Sequence, residues 1–389
     1  MAATCPYCNS DYTKVYYSID LPIYTWPLLP GEKNLIAPVE ISLCSNCWYA
    51  FNSKPLPEKS LQQIYDNYFY VSPSMGIGHS LRNGFIQMVK GNTRKEDRII
   101  EIGSSDGYLL RQLHDCGYIN LGGIDPNPRI NEAFPVKIMK GYFTRDTNFE
   151  SEIDVFLLEH VFEHLEKPWE FLKKMSDKLS NNGRILMEFP GYCNGMHHQH
   201  LSFFTLPFLQ NIAIQSGLNS IPVYHEEVTR IIFKKNSNPV PLLSNLQLDE
   251  EKKKILAKFN KVAEEHAKMK SELVAFLEKS KGDKVYWWGT GSWATILFYS
   301  IDKNILGNMD LEIIDSDPAR TSRIFSPANK EVKLAESSLS GKNVKNIVLG
   351  SQFISEMRQK LEDWNCRPER IFPPLKKREG LQTCLPIYL

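Results

Sequence analysis

The sequence has almost no net charge and no long apolar run. Forty-six lysines and arginines face 45 aspartates and glutamates, a formal balance of +1 across 389 residues. No electrostatic footprint for nucleic acid or an anionic membrane follows from that balance, and neither is expected as a partner. No apolar stretch reaches membrane-spanning length and no signal peptide opens the chain, so the expected location is the cytoplasm. Cysteine is scarce: of eight residues, only Cys5, Cys8, Cys44 and Cys47 are spaced in pairs. Cys116, Cys193, Cys366 and Cys384 are singles, expected as buried thiols. The rest is ordinary globular material, 42% hydrophobic and 11% aromatic. It suffices for two or three domains with sizeable cores.

The chain is organised around residues 99–107, Ile-Ile-Glu-Ile-Gly-Ser-Ser-Asp-Gly. An apolar run carrying Glu101 reads as a buried parallel strand. Gly103, Ser104, Asp106 and Gly107 then form a tight turn into a helix beginning near Tyr108. About twenty residues on, a second strand ends in Asp125-Pro126, an acid placed to take two ribose hydroxyls. This spacing departs from the GxGxxG of a dinucleotide site. It resembles the first units of class I S-adenosylmethionine (SAM) methyltransferases, which implies SAM as cofactor.

Further strands are expected at Lys137–Met139, Ile153–Leu158, Gly183–Phe189 and Arg230–Lys234, giving a doubly wound α/β sheet over residues 99–235. Phe143 follows the third strand, where an aromatic either stacks on adenine or packs in the core. Glu159 and His160 end the fourth, at the edge of the ligand crevice. Glu163 and His164 read as a polar turn before a helix. Past the fifth strand, Tyr192 leads into His197-His198-Gln199-His200, three of nine histidines within four residues. Such a cluster at a crevice points to acid–base work, and histidine has an unperturbed pKa of about 6.5. A metal site is the competing reading, but only Cys193 stands at usable ligand spacing.

Residues 1–52 hold Cys5-Pro-Tyr-Cys8 and Cys44-Ser-Asn-Cys47. Two such knuckles suit one zinc ion in a closed, structural site of four thiolates, with two disulfides or four unrelated thiols as the alternatives. Residues 53–98 read as a helical connector whose segment Tyr68, Tyr70, Ser72 is either packing or a lid over a substrate pocket. Residues 236–389 read as a charged linker helix followed by a truncated Rossmann-like unit. That unit has three strands, a turn at Gly289-Thr-Gly291-Ser292 and an acid, Asp315, on the next strand.

The whole pattern resembles the sugar C-methyltransferase family, which methylates C3 of nucleotide-linked 4-keto-deoxysugars. Its aromatic loop, Tyr-x-Tyr-x-Ser-Ser, matches Tyr68-Phe-Tyr70-Val-Ser72-Pro73 except at the last position. Its catalytic loop, Tyr-His-Glu-His-Leu-Ser-Tyr-Phe-Ser, aligns with the stretch from His197 to Thr205. The resemblance implies an N-terminal zinc-binding module, a SAM domain and a C-terminal Rossmann-like domain. It places the base on His200, with His197 and Gln199 standing where the family has tyrosine and glutamate. His197, His198, Gln199 and Tyr70 are the candidate donors to an enolate oxygen. Tyr68, Tyr70, Ser72, Tyr192, Gly289, Gly291, Ser292 and Asp315 are the candidate contacts to a nucleotide-linked sugar. N- or O-methylation, an NAD(P)-linked oxidoreductase and a non-catalytic zinc and nucleotide module remain as alternatives. A monomer or small homo-oligomer is expected.

Overall fold

The computed structural model describes residues 3–66, 79–131, 133–193, 195–225, 228–235, 238–239, 241, 243–351 and 353–373. The chain opens with strands β1 (Thr13–Pro22), β2 (Ile36–Cys44) and β3 (Ala50–Asn52), then helices α1 (Glu58–Asp66) and α2 (His79–Asn92). The central sheet begins with β4 (Ile99–Ile102), and α3 (Tyr108–Asp115) leads to β5 (Leu121–Asp125), β6 (Lys137–Lys140) and β7 (Ile153–Glu159). After α4 (Pro168–Lys178) and β8 (Leu179–Pro190) come β9 (Ser202–Phe203), α5 (Leu206–Gln215) and a hairpin of β10 (Leu218–His225) with β11 (Val228–Lys235). The strand order is β10-β11-β8-β7-β4-β5-β6, with β4 to β8 parallel and the hairpin antiparallel. β4 is buried at all four positions, which explains its unbroken apolar reading, because a parallel strand is covered on both faces.

The N-terminal sheet has the order β1-β2-β3-β9. Its fourth strand comes from residues 202–203, 150 residues beyond β3, through Ala50 opposite Phe203 and Phe51 opposite Ser202. The zinc-module expectation confined this sheet to residues 1–52. The structure instead ties it to the stretch just after the histidines.

A single helix, α6 (Asn245–Lys279), leads to the C-terminal unit. A capping box starts it: Ser244 accepts from the Gln247 amide, and the Gln247 side chain returns a bond to Ser244. Ile255, Phe259 and Val262 on its inner face share one core with Tyr17, Val39, Ile41, Tyr192, Cys193 and Met196. In that contact His266 Nδ1 lies 3.2 Å from Tyr17 Oη, and burial, then the Lys270 charge, lowers His266 to about 4. The unfolded chain, with a histidine pKa of about 6.5, binds the proton more readily. Stability should therefore fall by on the order of 2 kcal/mol as pH drops from about 6.5 toward about 4. Melting curves at both ends of that range should show His266→Asn flattening the loss. An unchanged slope would remove the assignment.

The C-terminal unit comprises β12 (Lys284–Trp288), α7 (Ser292–Tyr299), α8 (Lys303–Gly307), β13 (Asp310–Asp315), β14 (Ile324–Phe325), β15 (Lys330–Leu334), α9 (Ala335–Leu339), β16 (Asn343–Leu349), α10 (Ile354–Asp363) and β17 (Arg367–Phe372). Its six strands run β14-β15-β13-β12-β16-β17, all parallel except β14. The expectation of a truncated unit with three strands is corrected. The missed strands are at or near the edges, and their Lys-Glu-Val-Lys-Leu and Arg-Pro-Glu-Arg-Ile-Phe lack a buried strand's apolar run.

Candidate active site

The first glycine turn is built from the end of β4. Gly103 takes φ +78°, and a Cβ there would collide with Val161, so glycine is required on both counts. The Gly103 N–H donates to Ile124 O at 2.8 Å, which holds the turn against β5. Asp125 accepts the Ser105 N–H on Oδ2 at 2.8 Å and the Asn127 N–H on Oδ1 at 2.7 Å. A carboxylate has about four lone-pair sites, so two remain for hydroxyl donors. Asp106 Oδ1 accepts the Tyr108 N–H at the start of α3, while Glu101 and Ser104 are buried behind the turn and Pro126 is exposed.

The second glycine turn repeats this device. Gly289, φ +116°, donates its N–H to Ile314 O at 2.8 Å, and a Cβ would collide with the Gly350 carbonyl. Asp315 accepts the Thr290 N–H and hydroxyl on Oδ2 at 3.0 and 2.6 Å, and the Asp317 N–H on Oδ1 at 3.0 Å. Arg320 Nη1 adds a bond to Thr290 Oγ1, and Gly291 caps α7. Ser292 meets Thr25 of the N-terminal segment, Oγ to Oγ1, at 2.8 Å.

The histidines fold onto a one-turn helix at Phe162–His164. His200 donates its N–H to His197 O, a turn that brings the two rings to 3.9 Å between centroids. His200 Nε2 lies 3.9 Å from Glu163 Oε1, and the His164 ring is 5.0 Å away. His164 Nδ1 donates to the Gln199 carbonyl at 2.9 Å. Glu163 is 2% exposed and also meets His160 Nδ1 at 3.2 Å. His160 Nε2 faces Glu188, which Arg230 Nε holds from the other side at 2.6 Å.

The electrostatics divide the histidines. Loss of solvent at the His160 ring nitrogens is outweighed by hydrogen bonds and charge from Glu163 and Glu188, which lift it to about 10. Although 41% of that side chain is exposed, both nitrogens sit against buried carboxylates. Burial, then the His164 and His198 charges, pushes His197 down to about 3. Burial, then His197, His164 and His160, pushes His200 well below the usual histidine range. At neutral pH His200 is therefore a neutral imidazole, able to accept a proton beside the Glu163 carboxylate.

Several expected positions fall elsewhere. Phe143 packs among Phe149, Phe156 and Phe171, so its ring takes the core reading and not adenine stacking. His198 is turned away to bond Leu21 O at 3.0 Å, and Tyr192 stacks on Phe259 of α6. Cys193 is buried in the core with Tyr17 and Phe259 and is not among the residues that cluster with Glu163, His164 and His200. Tyr68, Tyr70 and Ser72 lie outside the described residues. Glu163 and His164 do lie on a short turn before α4, as expected, and they also meet the histidines. The repeat of Glu-His at 159–160 and 163–164 is the sequence signal that marks them.

The four paired cysteines converge crosswise, Cys5 Sγ to Cys47 Sγ 3.6 Å and Cys8 Sγ to Cys44 Sγ 3.7 Å. A disulfide needs about 2.05 Å. Four thiolates at about 2.3 Å from one tetrahedral ion stand about 3.8 Å apart, so the donor set fits zinc. Asn46 Nδ2 approaches Cys8 Sγ at 3.5 Å.

Residues 81–223 match a family model described as a methyltransferase domain, a stretch running from α2 into β10. An uncharacterized methyltransferase of Mycobacterium leprae (strain Br4923) is 26% identical over 98 residues, 23% of this chain and 36% of that protein. The same figures hold for one from strain TN. The chain thus spans about a third of the length of the curated relatives it matches. Among solved structures, 1,6-didemethyltoxoflavin-N1-methyltransferase of Burkholderia thailandensis, with 1,6-didemethyltoxoflavin and S-adenosylhomocysteine bound, is 14% identical. The match covers 48% of this chain and 96% of that one, with a TM-score of 0.37. A SAM-dependent methyltransferase of Thermotoga maritima, a possible histamine N-methyltransferase, is 16% identical over 40% of this chain and 89% of its own, with a TM-score of 0.33. Residues 81–223, which match the methyltransferase-domain model, supply most of the seven-stranded central sheet, and two further sheets accompany it. No helix among the described residues is long and apolar enough to cross a membrane.

Proposed function

We propose that the protein transfers a methyl group from SAM to a nucleotide-linked sugar, with a carbon next to a ketone as the favoured acceptor. The observation that carries the reading is the meeting, within the matched stretch, of Glu163 and His164 with His197 and His200 from the loop after β8. SAM supplies an electrophilic methyl group, so the acceptor must present an electron pair in line with the S–CH3 bond. A carbon does so only as an enolate, which requires a base and donors for the oxygen. In this reading His200 takes the proton from the acceptor carbon, and Glu163 stabilises the imidazolium that forms. His197 faces the same space, while Gln199 holds His164 through its carbonyl. The second glycine turn, with Asp315 and Arg320, offers polar groups to the nucleotide end of the substrate.

The low proton affinity of His200 favours one second reading, a sugar hydroxyl or amine as acceptor, which asks less of the base. Incubating the protein with labelled SAM and a set of nucleotide 4-ketosugars, aminosugars and plain sugars separates the two. Transfer to none of them, with transfer to an unlinked small molecule instead, would sink the sugar assignment.

SAM binding has its own test. Asp125→Ala should weaken it by roughly 2 kcal/mol or more, since a charged acceptor for the ribose hydroxyls is lost. Asp125→Asn keeps one oxygen for the turn and should fall between. Unchanged affinity by calorimetry would mean that Asp125 serves only the turn.

A further inference from the structure

We propose that Glu163, His164 and His200 form a second metal site, taking a divalent transition cation such as Zn2+ or Co2+ on two imidazoles and a carboxylate. One donor atom from each of the three lies within 4.8 Å of the others, and Glu163 and His200 are buried. The His164 tautomer is set by its neighbour. The Gln199 carbonyl can only accept, so Nδ1 carries the hydrogen and Nε2 keeps its lone pair. A histidine whose second nitrogen donates to a carbonyl is oriented as metal-ligating histidines are.

Two further observations point to a ligand. Glu163 Oε2 is buried with no hydrogen-bond partner among the described residues, as is Nδ1 of His197, whose ring lies against His200. His200 Nε2 and Glu163 Oε1 are 3.9 Å apart. Two ligands at about 2.0–2.2 Å from one ion stand roughly 3–3.5 Å apart, so a contraction of less than about 1 Å closes the Glu163–His200 pair, and the His164 donor lies within 4.8 Å of both. Three protein donors leave a position open to water, substrate or His197. The four-thiolate cluster near the N terminus is separate and closed, so the two sites differ in donor chemistry.

For turnover the inference rests on the proposed function: an ion on the His200 lone pair occupies the atom that would accept the proton. Methyl transfer should then be reversibly inhibited by the cation.

The test uses the full chain loaded with Co2+ and freed of excess. Two ions per chain are expected, one with the thiolate-to-cobalt charge-transfer bands of a sulfur site and one with only the weaker bands of nitrogen and oxygen ligands. Glu163→Gln and His164→Ala should each leave one ion, the thiolate-bound one. A single ion with a purely thiolate spectrum overturns the proposal without any variant, and so does a second ion that survives both substitutions. The count does not depend on turnover. An inactive protein with two ions supports the site and counts only against methyl transfer. Added Zn2+ should slow an active protein several-fold, and a mild chelator too weak for four thiolates should restore it.

Discussion

Replacing His200 with asparagine should lower turnover roughly 100-fold or more while leaving SAM affinity near that of the natural protein. Asparagine keeps a polar side chain that fills much of the space, but it cannot take a proton. The site makes the substitution selective. His200 is buried with Glu163 on one side and two imidazoles on others, whereas the turn after β4, where SAM is proposed to bind, is fixed by Asp125, Ser105 and Asn127. The discriminating measurement is exchange of the acceptor's α-proton with deuterated water. For a carbon acceptor the natural protein should wash deuterium into the sugar or need the proton's loss for turnover, and the variant should do neither. Near-full activity in His200→Asn would move the role to His197. If single variants at both positions stay active, the loop is a binding element and the acceptor is a nitrogen or oxygen.

With zinc held by the four cysteines, as their spacing allows, stripping it should unfold the N-terminal sheet and, with it, stop the proposed reaction. Structural zinc contributes about 10 kcal/mol or more at neutral pH, comparable with the whole stability of a domain. The sequence alone suggests that residues 1–52 would melt separately. The structure ties the loss to the chemistry, because Ser202 and Phe203 pair with β3 two residues after His200, and Tyr49 Oη bonds Ser202 Oγ at 2.5 Å. Removing zinc, or replacing Cys47 with serine, should therefore abolish methyl transfer while SAM still binds to β4, β5 and their turn. Hydrogen exchange over residues 13–52 and 197–203 would show both stretches opening together. A chain that carries no zinc when purified would remove the prediction.

The central sheet was legible because its strands are apolar and end in informative residues. Ile99–Ile102 is buried throughout, and Gly103 and Asp125 sit where a tight turn and a clasp for it are needed. β10 was not legible: Pro222 and a register shift beside it break the alternation. β9 is two residues long, and its partner is 150 residues away, a pairing that no local pattern carries. At the site, the histidine loop announced itself by composition. Glu163 did not, because its importance comes from a one-turn helix that places it under a loop some 35 residues later in sequence. Phe143 shows the converse, since an aromatic in the expected place became core when Phe149, Phe156 and Phe171 closed around it.

The pairing of β3 with β9 also sets an order of events during synthesis. The first 52 residues leave the ribosome with both cysteine knuckles and three of their four strands, but the edge of β3 waits for residues 202–203. At about 5–20 residues per second that interval is roughly 8 to 30 seconds, far longer than a hairpin needs to form. Through it, Tyr49, Ala50 and Phe51 stand without the strand that later covers them, on an open edge of the kind that invites pairing with another chain. The edge of β3 thus stays open while the central sheet is being made, and the four clustered cysteines are the part of this sheet already complete during that time.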